Sequence, residues 1–182
     1  MIYRSKAPLR IGLAGGGTDV SPYCDLYGGA ILNATLSLYA HATIEPLPEP
    51  TIILQGVDRK EEQRFEGGAD LETLPIDGTL DLLKGVYNRI RAAYGWPGRG
   101  FRLSTFVDAP AGSGLGTSST LVVAIIGVFT EMLRLPLGLA FPLVLPLMPA
   151  SSPAAVVAIH PVPSAAIAVV LFTPIKVTIH GP

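Results

Sequence analysis

The chain has 182 residues, which is the length of one domain with room for a hydrophobic core. Its 13 Lys and Arg nearly balance its 14 Asp and Glu, and the net charge of −1 argues against nucleic acid or an anionic membrane as a partner. A single cysteine, Cys24, excludes an internal disulfide and fits a reducing compartment. The first residues contain no apolar stretch of the signal-peptide kind, so we expect a cytoplasmic protein.

The first strand is predicted over Ile2–Leu13, where Pro8 indicates an edge position or a bulge. A glycine loop, Gly12–Asp19, follows it, with the cation of Arg10 before the loop and the anion of Asp19 after it. An Arg in this position can hold a phosphate by two parallel hydrogen bonds.

Two roles are open for Asp19. Its carboxylate can accept hydrogen bonds from sugar hydroxyls beside the flexible loop, or it can be the N-cap of a short helix predicted over Val20–Leu26.

The next part of the chain alternates apolar and polar residues, which predicts strands over Ala30–Leu36, Leu38–Ile44 and Thr51–Gln55, with a break near Ser37. His41 lies in the second of these strands. A lone histidine in a strand is more often packed or solvated than catalytic. The charged segment Asp58–Phe65 is expected to be a solvated hairpin arm or loop.

Apolar residues then recur at helical spacing and predict an amphipathic helix over Thr79–Tyr94, with Thr79 as N-cap and Gly95 after its end. Arg89 and Arg91 are expected to be solvated charges on this helix. Strict alternation predicts a strand over Gly100–Val107.

That strand leads into a second glycine loop, Asp108–Thr120, which contains three glycines and then three consecutive hydroxyl residues at Thr117–Ser119, and which precedes the apolar run Leu121–Phe129. A glycine loop before a helix N-terminus presents backbone N–H groups and the positive end of the helix dipole, which together bind anions such as phosphate. The hydroxyls can add hydrogen bonds to phosphate or a ligand to Mg²⁺. The loop has neither the lysine of a Walker A motif nor the dinucleotide spacing, and a plain turn that starts a buried helix remains the alternative.

The last part of the chain differs in composition from the rest. Only one of the 27 charged residues, Lys176, lies beyond Arg134, and residues 139–182 contain no Asp or Glu. A membrane helix over Leu139–Ile175 is opposed by its many prolines. Buried strands over Ala154–Ile159 and Ala165–Phe172 are the second explanation, and a frame-shifted or truncated gene product is the third and favoured one.

Two motifs resemble those of the GHMP kinases, a family named for galacto-, homoserine, mevalonate and phosphomevalonate kinases. Pro110–Ser119 resembles the second family motif, P-x-x-x-G-L-G-S-S-A, with Thr117 where a Ser is usual. Ala7–Asp19, followed by Tyr27-Gly-Gly and Leu32–Thr35, resembles the first motif of the D-glycero-D-manno-heptose 7-phosphate kinase branch. L-fucose kinases have a related loop.

The resemblance covers residues 1–138 and implies an α+β fold, the GHMP kinase N-terminal domain, which is similar to domain 2 of ribosomal protein S5. We therefore divide the chain into an ATP-binding domain, 1–138, and an atypical Pro/Ala/Val-rich tail, 139–182. The family continues with a charged helix that carries a Mg²⁺-binding Glu, a Gly-Gly-x-x-Asp segment and a C-terminal domain. All three are missing here, so no catalytic residue is identifiable and the C-terminal domain is expected to be absent.

The function implied by the resemblance is ATP-dependent phosphorylation of the heptose 7-phosphate at its anomeric hydroxyl, with low activity in this chain. ATP and Mg²⁺ are the implied cofactors, a sugar phosphate is the implied partner, and the oligomeric state is open. The alternatives are a non-catalytic nucleotide- or sugar-phosphate-binding fragment and another sugar kinase of the L-fucose kinase type. The expected substrate-binding residues are Arg10, Gly17, Thr18 and Asp19; the expected ATP-binding residues are Pro110, Ala111, Gly112, Ser113, Gly114, Leu115, Gly116, Thr117, Ser118 and Ser119, and Ser118 is also the expected metal ligand.

Overall fold

The computed structural model describes residues 1–135, together with the backbone of residues 169–170 and 176–180. Its strands and helices, in chain order, are β1 (Ile2–Ala14), α1 (Tyr23–Tyr27), β2 (Leu32–Leu47), β3 (Ile52–Gly56), β4 (Glu61–Phe65), α2 (Asp81–Tyr94), β5 (Gly100–Val107), α3 (Thr117–Leu133), β6 (Val169–Val170) and β7 (Lys176–His180).

The strands form one mixed sheet in the order β4-β3-β5-β2-β1-β7, with β6 beside β2. β3 and β5 are parallel, so the chain must cross over between them, and it does so through α2. α3 packs against β1 and β2, with α2 beside it. The core lies between this face of the sheet and the two helices, and it is formed by aromatic and aliphatic side chains such as Tyr87, Phe101 and Phe129. This arrangement confirms the expected α+β fold.

β2 is one long strand, so the prediction of two strands separated near Ser37 was wrong in form. The cause of the break in the pattern is visible in the register with β1. Pro8 pairs with Tyr39 and Arg10 pairs with Thr35, so three residues of β2 lie opposite a single residue of β1. The irregularity is a β-bulge, as Pro8 indicated, and the chain continues in the same strand on both sides of it.

The predicted helices Val20–Leu26 and Thr79–Tyr94 both start at a different residue in the structure. α1 has Pro22 at its N-cap position, so Asp19 is not its cap. α2 begins at Asp81, with Leu80 rather than Thr79 at the N-cap position, whereas Gly95 ends the helix as predicted and donates its N–H to Arg91 O at 2.8 Å.

Arg91 is not a solvated charge. Its Nη1 donates to Ala69 O at 2.7 Å and to the Tyr87 hydroxyl at 3.2 Å, which ties α2 to the loop after β4. Arg89 on the same helix is exposed, as predicted. The sequence could not separate the two, because Ala69 lies in an irregular segment whose position is set by the tertiary fold.

Part of the tail joins the sheet. β6, inside the predicted strand Ala165–Phe172, pairs in parallel with β2, and β7 pairs antiparallel with β1. The other predicted strand, Ala154–Ile159, lies outside the described residues. Within the described part of the chain, no helix is long and apolar enough to cross a membrane. The division at residue 138 stays a prediction.

Candidate functional site

The second glycine loop has the backbone geometry that an anion site needs. Gly112, Gly114 and Gly116 have φ of +80°, +75° and +68°, a region that residues with a Cβ rarely adopt. A Cβ added at Gly112 or Gly114 would meet no atom within 4 Å, so the loop lies open in front of α3. The backbone at Gly112 and Gly114 is therefore open, and a ligand can approach it.

α3 begins at Thr117, directly after the last glycine of this loop, Gly116. Its first backbone hydrogen bond runs from Thr120 N–H to Gly116 O at 2.9 Å, so the N–H groups of residues 117–119 precede the helical ladder. A helix of 17 residues adds the positive end of its dipole at the same place. Together these groups can bind a phosphate.

The three hydroxyl residues of the loop have different environments. Ser118 is exposed and Thr117 is half-buried. Ser119 is only 7 % exposed, and its hydroxyl donates to Gly116 O at 3.1 Å. Of these three, the structure therefore leaves Ser118 and Thr117 accessible to a ligand, and gives Ser119 a role in holding the end of the loop.

Asp108 fixes the point where the chain leaves β5 and enters the loop. Its N–H donates to Tyr39 O at 3.0 Å, and its Oδ2 accepts from Tyr39 N–H at 2.8 Å. The carboxylate thus extends the β2–β5 ladder beyond its last pair.

His41 Nε2 lies 3.5 Å from Asp108 Oδ1 on the face of the sheet away from the core, and the His41 side chain is partly solvated, as the sequence predicted.

The first glycine loop crosses a later part of the chain. A Cβ on Gly15 would overlap Ala30 O, and a Cβ on Gly29 would overlap Thr18 O, so both glycines are required by close backbone approach. The Thr18 hydroxyl lies at this crossing, 2.7 Å from Gly15 O and 3.1 Å from Ala30 O, and it accepts from Ala30 N–H at 3.1 Å. Through these contacts the Thr18 hydroxyl links the first glycine loop to the backbone of Ala30.

Asp19 belongs to the same loop. Its Oδ1 accepts from Gly17 N–H at 3.1 Å, which fixes the carboxylate against the loop instead of capping a helix. A ligand held by Asp19 would therefore be held by a carboxylate whose orientation the loop itself sets.

Arg10 connects the two glycine loops. Its backbone N–H donates to Leu115 O at 3.3 Å, and a Cβ on Gly116 would lie 3.6 Å from both Cγ and Nε of Arg10. Burial lowers the pKa of Arg10 from its ordinary value, and the nearby charge of Asp19 opposes that shift. The structure thus brings residues of the predicted sugar loop and the predicted phosphate loop to one place.

Asn33 is a residue of this site that the sequence did not single out. Its Oδ1 accepts from Arg10 Nη1 at 3.0 Å. The signal for it was present in the motif Leu32–Thr35, but an asparagine in a strand has no distinctive pattern of its own. Among residues 1–135, no group of three or more His, Cys, Asp or Glu could hold a metal ion.

Comparison with known proteins places this chain among relatives of one family. Residues 81–144 match the family model described as the GHMP kinases N terminal domain. The chain is 48% identical over 135 residues to the D-glycero-alpha-D-manno-heptose 7-phosphate kinase of Campylobacter jejuni subsp. jejuni serotype O:2, which covers 74% of this chain and 39% of that protein.

Two solved structures are also similar. A D-glycero-D-manno-heptose 1-phosphate kinase from Bacteroides thetaiotaomicron is 50% identical with a TM-score of 0.70, over 79% of this chain and 47% of that one. A sugar kinase from Campylobacter jejuni is 43% identical with a TM-score of 0.64, over 78% and 44%. The chain thus spans less than half of the length of these relatives.

The sheet, the two helices and the glycine loops define the N-terminal domain of a small-molecule kinase fold. The described N-terminal part of this chain belongs to the GHMP kinase family.

Proposed function

We propose that this chain provides the ATP-binding and sugar-binding half of a sugar kinase that acts on a heptose phosphate. The observation that carries the proposal is the position of Arg10, whose main chain bonds to the phosphate loop at Leu115 while its side chain lies beside Gly116 and near Asp19. A phosphoryl group passing between donor and acceptor needs a cation between the two, because negative charge accumulates there.

On the donor side, the loop Pro110–Ser119 would cradle the phosphates of ATP. The positive-φ glycines expose backbone N–H groups, and the N-terminus of α3 adds positive charge. Ser118 is exposed, which suits it to reach a phosphate or Mg²⁺. Mg²⁺·ATP would supply the phosphoryl group and neutralise its charge.

On the acceptor side, Asp19 would accept hydrogen bonds from sugar hydroxyls through the carboxylate that Gly17 orients. Thr18 would act by its hydroxyl contacts with Gly15 and Ala30, which hold the loop in place. The named acceptors of the two heptose kinases differ, a 7-phosphate in one and a 1-phosphate in the other. We propose the 7-phosphate, phosphorylated at the anomeric hydroxyl.

We further propose that this chain by itself phosphorylates its substrate slowly. Residues 139–182 contain no Asp or Glu, so that segment offers no carboxylate to bind Mg²⁺ or to activate the acceptor hydroxyl. The measurement is release of ADP with the heptose 7-phosphate, compared with the Campylobacter relative. A rate close to that of the relative would refute this part of the proposal.

Donor binding is tested with a matched pair of variants, Gly114→Val and Gly98→Val. Both glycines have similar positive φ, +75° and +70°, and open space for a side chain, so each substitution introduces the same kind of backbone strain. Gly98 precedes β5, whereas Gly114 follows it, so the two lie at opposite ends of that strand.

We expect calorimetric titration with ATP·Mg²⁺ to show binding by the wild type and by Gly98→Val, and at least tenfold weaker binding by Gly114→Val. Equal binding by all three proteins, or none by the wild type, would return the loop to a plain helix start.

Acceptor binding is tested by titrating heptose 7-phosphate and heptose 1-phosphate separately into the wild type and Asp19→Asn. We expect the 7-phosphate to bind more tightly, and the substitution to weaken it because a neutral amide is a poorer acceptor than a carboxylate. Preference for the 1-phosphate would change the assigned acceptor, and an unchanged affinity in Asp19→Asn would remove Asp19 from the site.

A further inference from the structure

We propose that Asn33 is a positioning residue, which holds the Arg10 guanidinium beside the phosphate loop without neutralising its charge. The inference rests on the proposed function, since the charge matters only if the loop binds an anion. The hydrogen bond from Arg10 Nη1 to Asn33 Oδ1, 3.0 Å long, carries it.

The register of β1 and β2 explains how the two side chains meet. Asn33 pairs with Gly12, two residues beyond Arg10 on β1, so Arg10 and Gly12 point to the same face. A Cβ on Gly12 would lie 3.5 Å from Asn33 Oδ1. The missing side chain at Gly12 leaves room for Asn33 to cross β1 diagonally and reach the guanidinium.

The rest of Arg10 is already fixed. Its N–H is bonded to Leu115 O, and its Cγ and Nε lie beside Gly116 and the first turn of α3. What the backbone contacts leave undetermined is the rotation of the planar guanidinium about its terminal bonds. A planar fork binds phosphate by two parallel bonds only in the correct plane, so its orientation decides its affinity.

The chemistry of the amide suits this task. Asn33 offers a neutral oxygen, so Arg10 keeps its full charge towards a phosphate, whereas a carboxylate would form an ion pair with it. Asp19 already supplies one nearby carboxylate. A second carboxylate at position 33 would keep the same shape and the same hydrogen bond while cancelling the charge that attracts the anion.

This difference separates an electrostatic role from a structural one. The test compares Asn33→Asp with Asn33→Ala and with Ser37→Asp, which adds the same charge at an exposed position on the same strand. The readouts are affinity for ATP·Mg²⁺ by calorimetry and the midpoint of thermal unfolding.

We expect Asn33→Asp to bind ATP·Mg²⁺ at least tenfold more weakly while its thermal midpoint is equal to or higher than that of the wild type. Asn33→Ala should bind several-fold more weakly, and Ser37→Asp should bind as the wild type does. Wild-type affinity in Asn33→Asp would overturn the proposal, and so would an equal loss in Ser37→Asp.

A second readout does not depend on nucleotide. The ¹⁵N resonances of the Arg10 Nη groups, assigned with Arg10→Lys, should be separate in the wild type and averaged by faster rotation in Asn33→Ala. Unchanged resonances in Asn33→Ala would overturn the proposal even if ATP binds. Failure of the wild type to bind ATP would instead refute the proposed function, and the resonances would still show whether Asn33 orients Arg10.

Discussion

Substitution of Gly15 by Ala should open the crossing of the first glycine loop, whereas the same substitution at the adjacent Gly16 should not. A Cβ at Gly15 would overlap Ala30 O, and the residue has φ of +75°; a Cβ at Gly16 would meet no atom within 4 Å, and Gly16 lacks a positive φ. The two variants therefore add the same methyl group to the same loop, and they differ in the crossing and in the backbone φ of the substituted residue.

The size of the effect follows from two contributions. An L-residue in the left-handed region costs about 1–2 kcal/mol. Separating the segments removes the hydrogen bond from Ala30 N–H to Thr18 Oγ1, which contributes about 1 kcal/mol at a partly exposed site. Gly15→Ala should then destabilise the closed loop by about 2–3 kcal/mol, which is about two powers of ten in its opening equilibrium.

The loop can open without global unfolding, so amide hydrogen exchange at Ala30 is the direct assay. We expect Ala30 N–H to exchange about a hundredfold faster in Gly15→Ala, and Gly16→Ala to exchange as the wild type does. Affinity for the heptose phosphate should fall in Gly15→Ala alone, because Asp19 loses its fixed orientation. Equal exchange in the two variants would refute the argument from the crossing.

Three further predictions concern the scaffold. Gly127→Ala should lower the free energy of unfolding by about 1–2 kcal/mol, because its Cβ would lie 2.7 Å from Ser5 Oγ. Adding Ser5→Ala in a double variant should remove that cost. If the two changes in unfolding free energy, measured in urea, are additive, this explanation is contradicted. Lys84→Met should destabilise the domain by about 2 kcal/mol in the same assay, because the fully buried Lys84 Nζ lies 2.5 Å from Asp77 Oδ1 and 2.9 Å from Asp81 Oδ1. Wild-type stability of the variant would contradict the ion-pair argument. Hydrogen bonds from Lys84 hold the pKa of Asp77 and of Asp81 below the ordinary 3.8, so the stabilisation from these carboxylates is present above that pH and is lost as the pH falls through their folded-state pKa values. In urea titrations below pH 5, the unfolding free energy of Lys84→Met should therefore depend less steeply on pH than that of the wild type. An unchanged slope would rule out this linkage.

Local sequence predicted most of the secondary structure. β5 has the predicted bounds, and α2 ends where Gly95 predicted it would, because alternation and a glycine after the last turn are local signals. The predicted starts of both helices were wrong. α1 has Pro22 at its N-cap position. Before α2, the carboxylate of Asp81 accepts from the N–H groups of Asp77 and Gly78, and Thr79 lies outside the helix.

The candidate site divides in the same way. The glycine loops and the hydroxyls in the first turn of α3 were identified from the sequence, since positive φ and a helix start depend on neighbouring residues. Three contacts could not be identified from the sequence: that of Thr18 with Ala30, that of Ser119 with Gly116, and that of Asn33 with Arg10. Each depends on a partner that the local pattern does not specify.

The sequence by itself therefore determined the two loops, the order of strand, loop and helix, and the family to which the N-terminal part belongs. Only the tertiary structure decided that Arg10 lies against Leu115 and Gly116, and that Gly15 crosses Ala30. The physical reason is that a loop conformation is set by the backbone freedom of a few consecutive residues. The meeting of two loops is set by the register of β1 on β2 and by the packing of α3 across both.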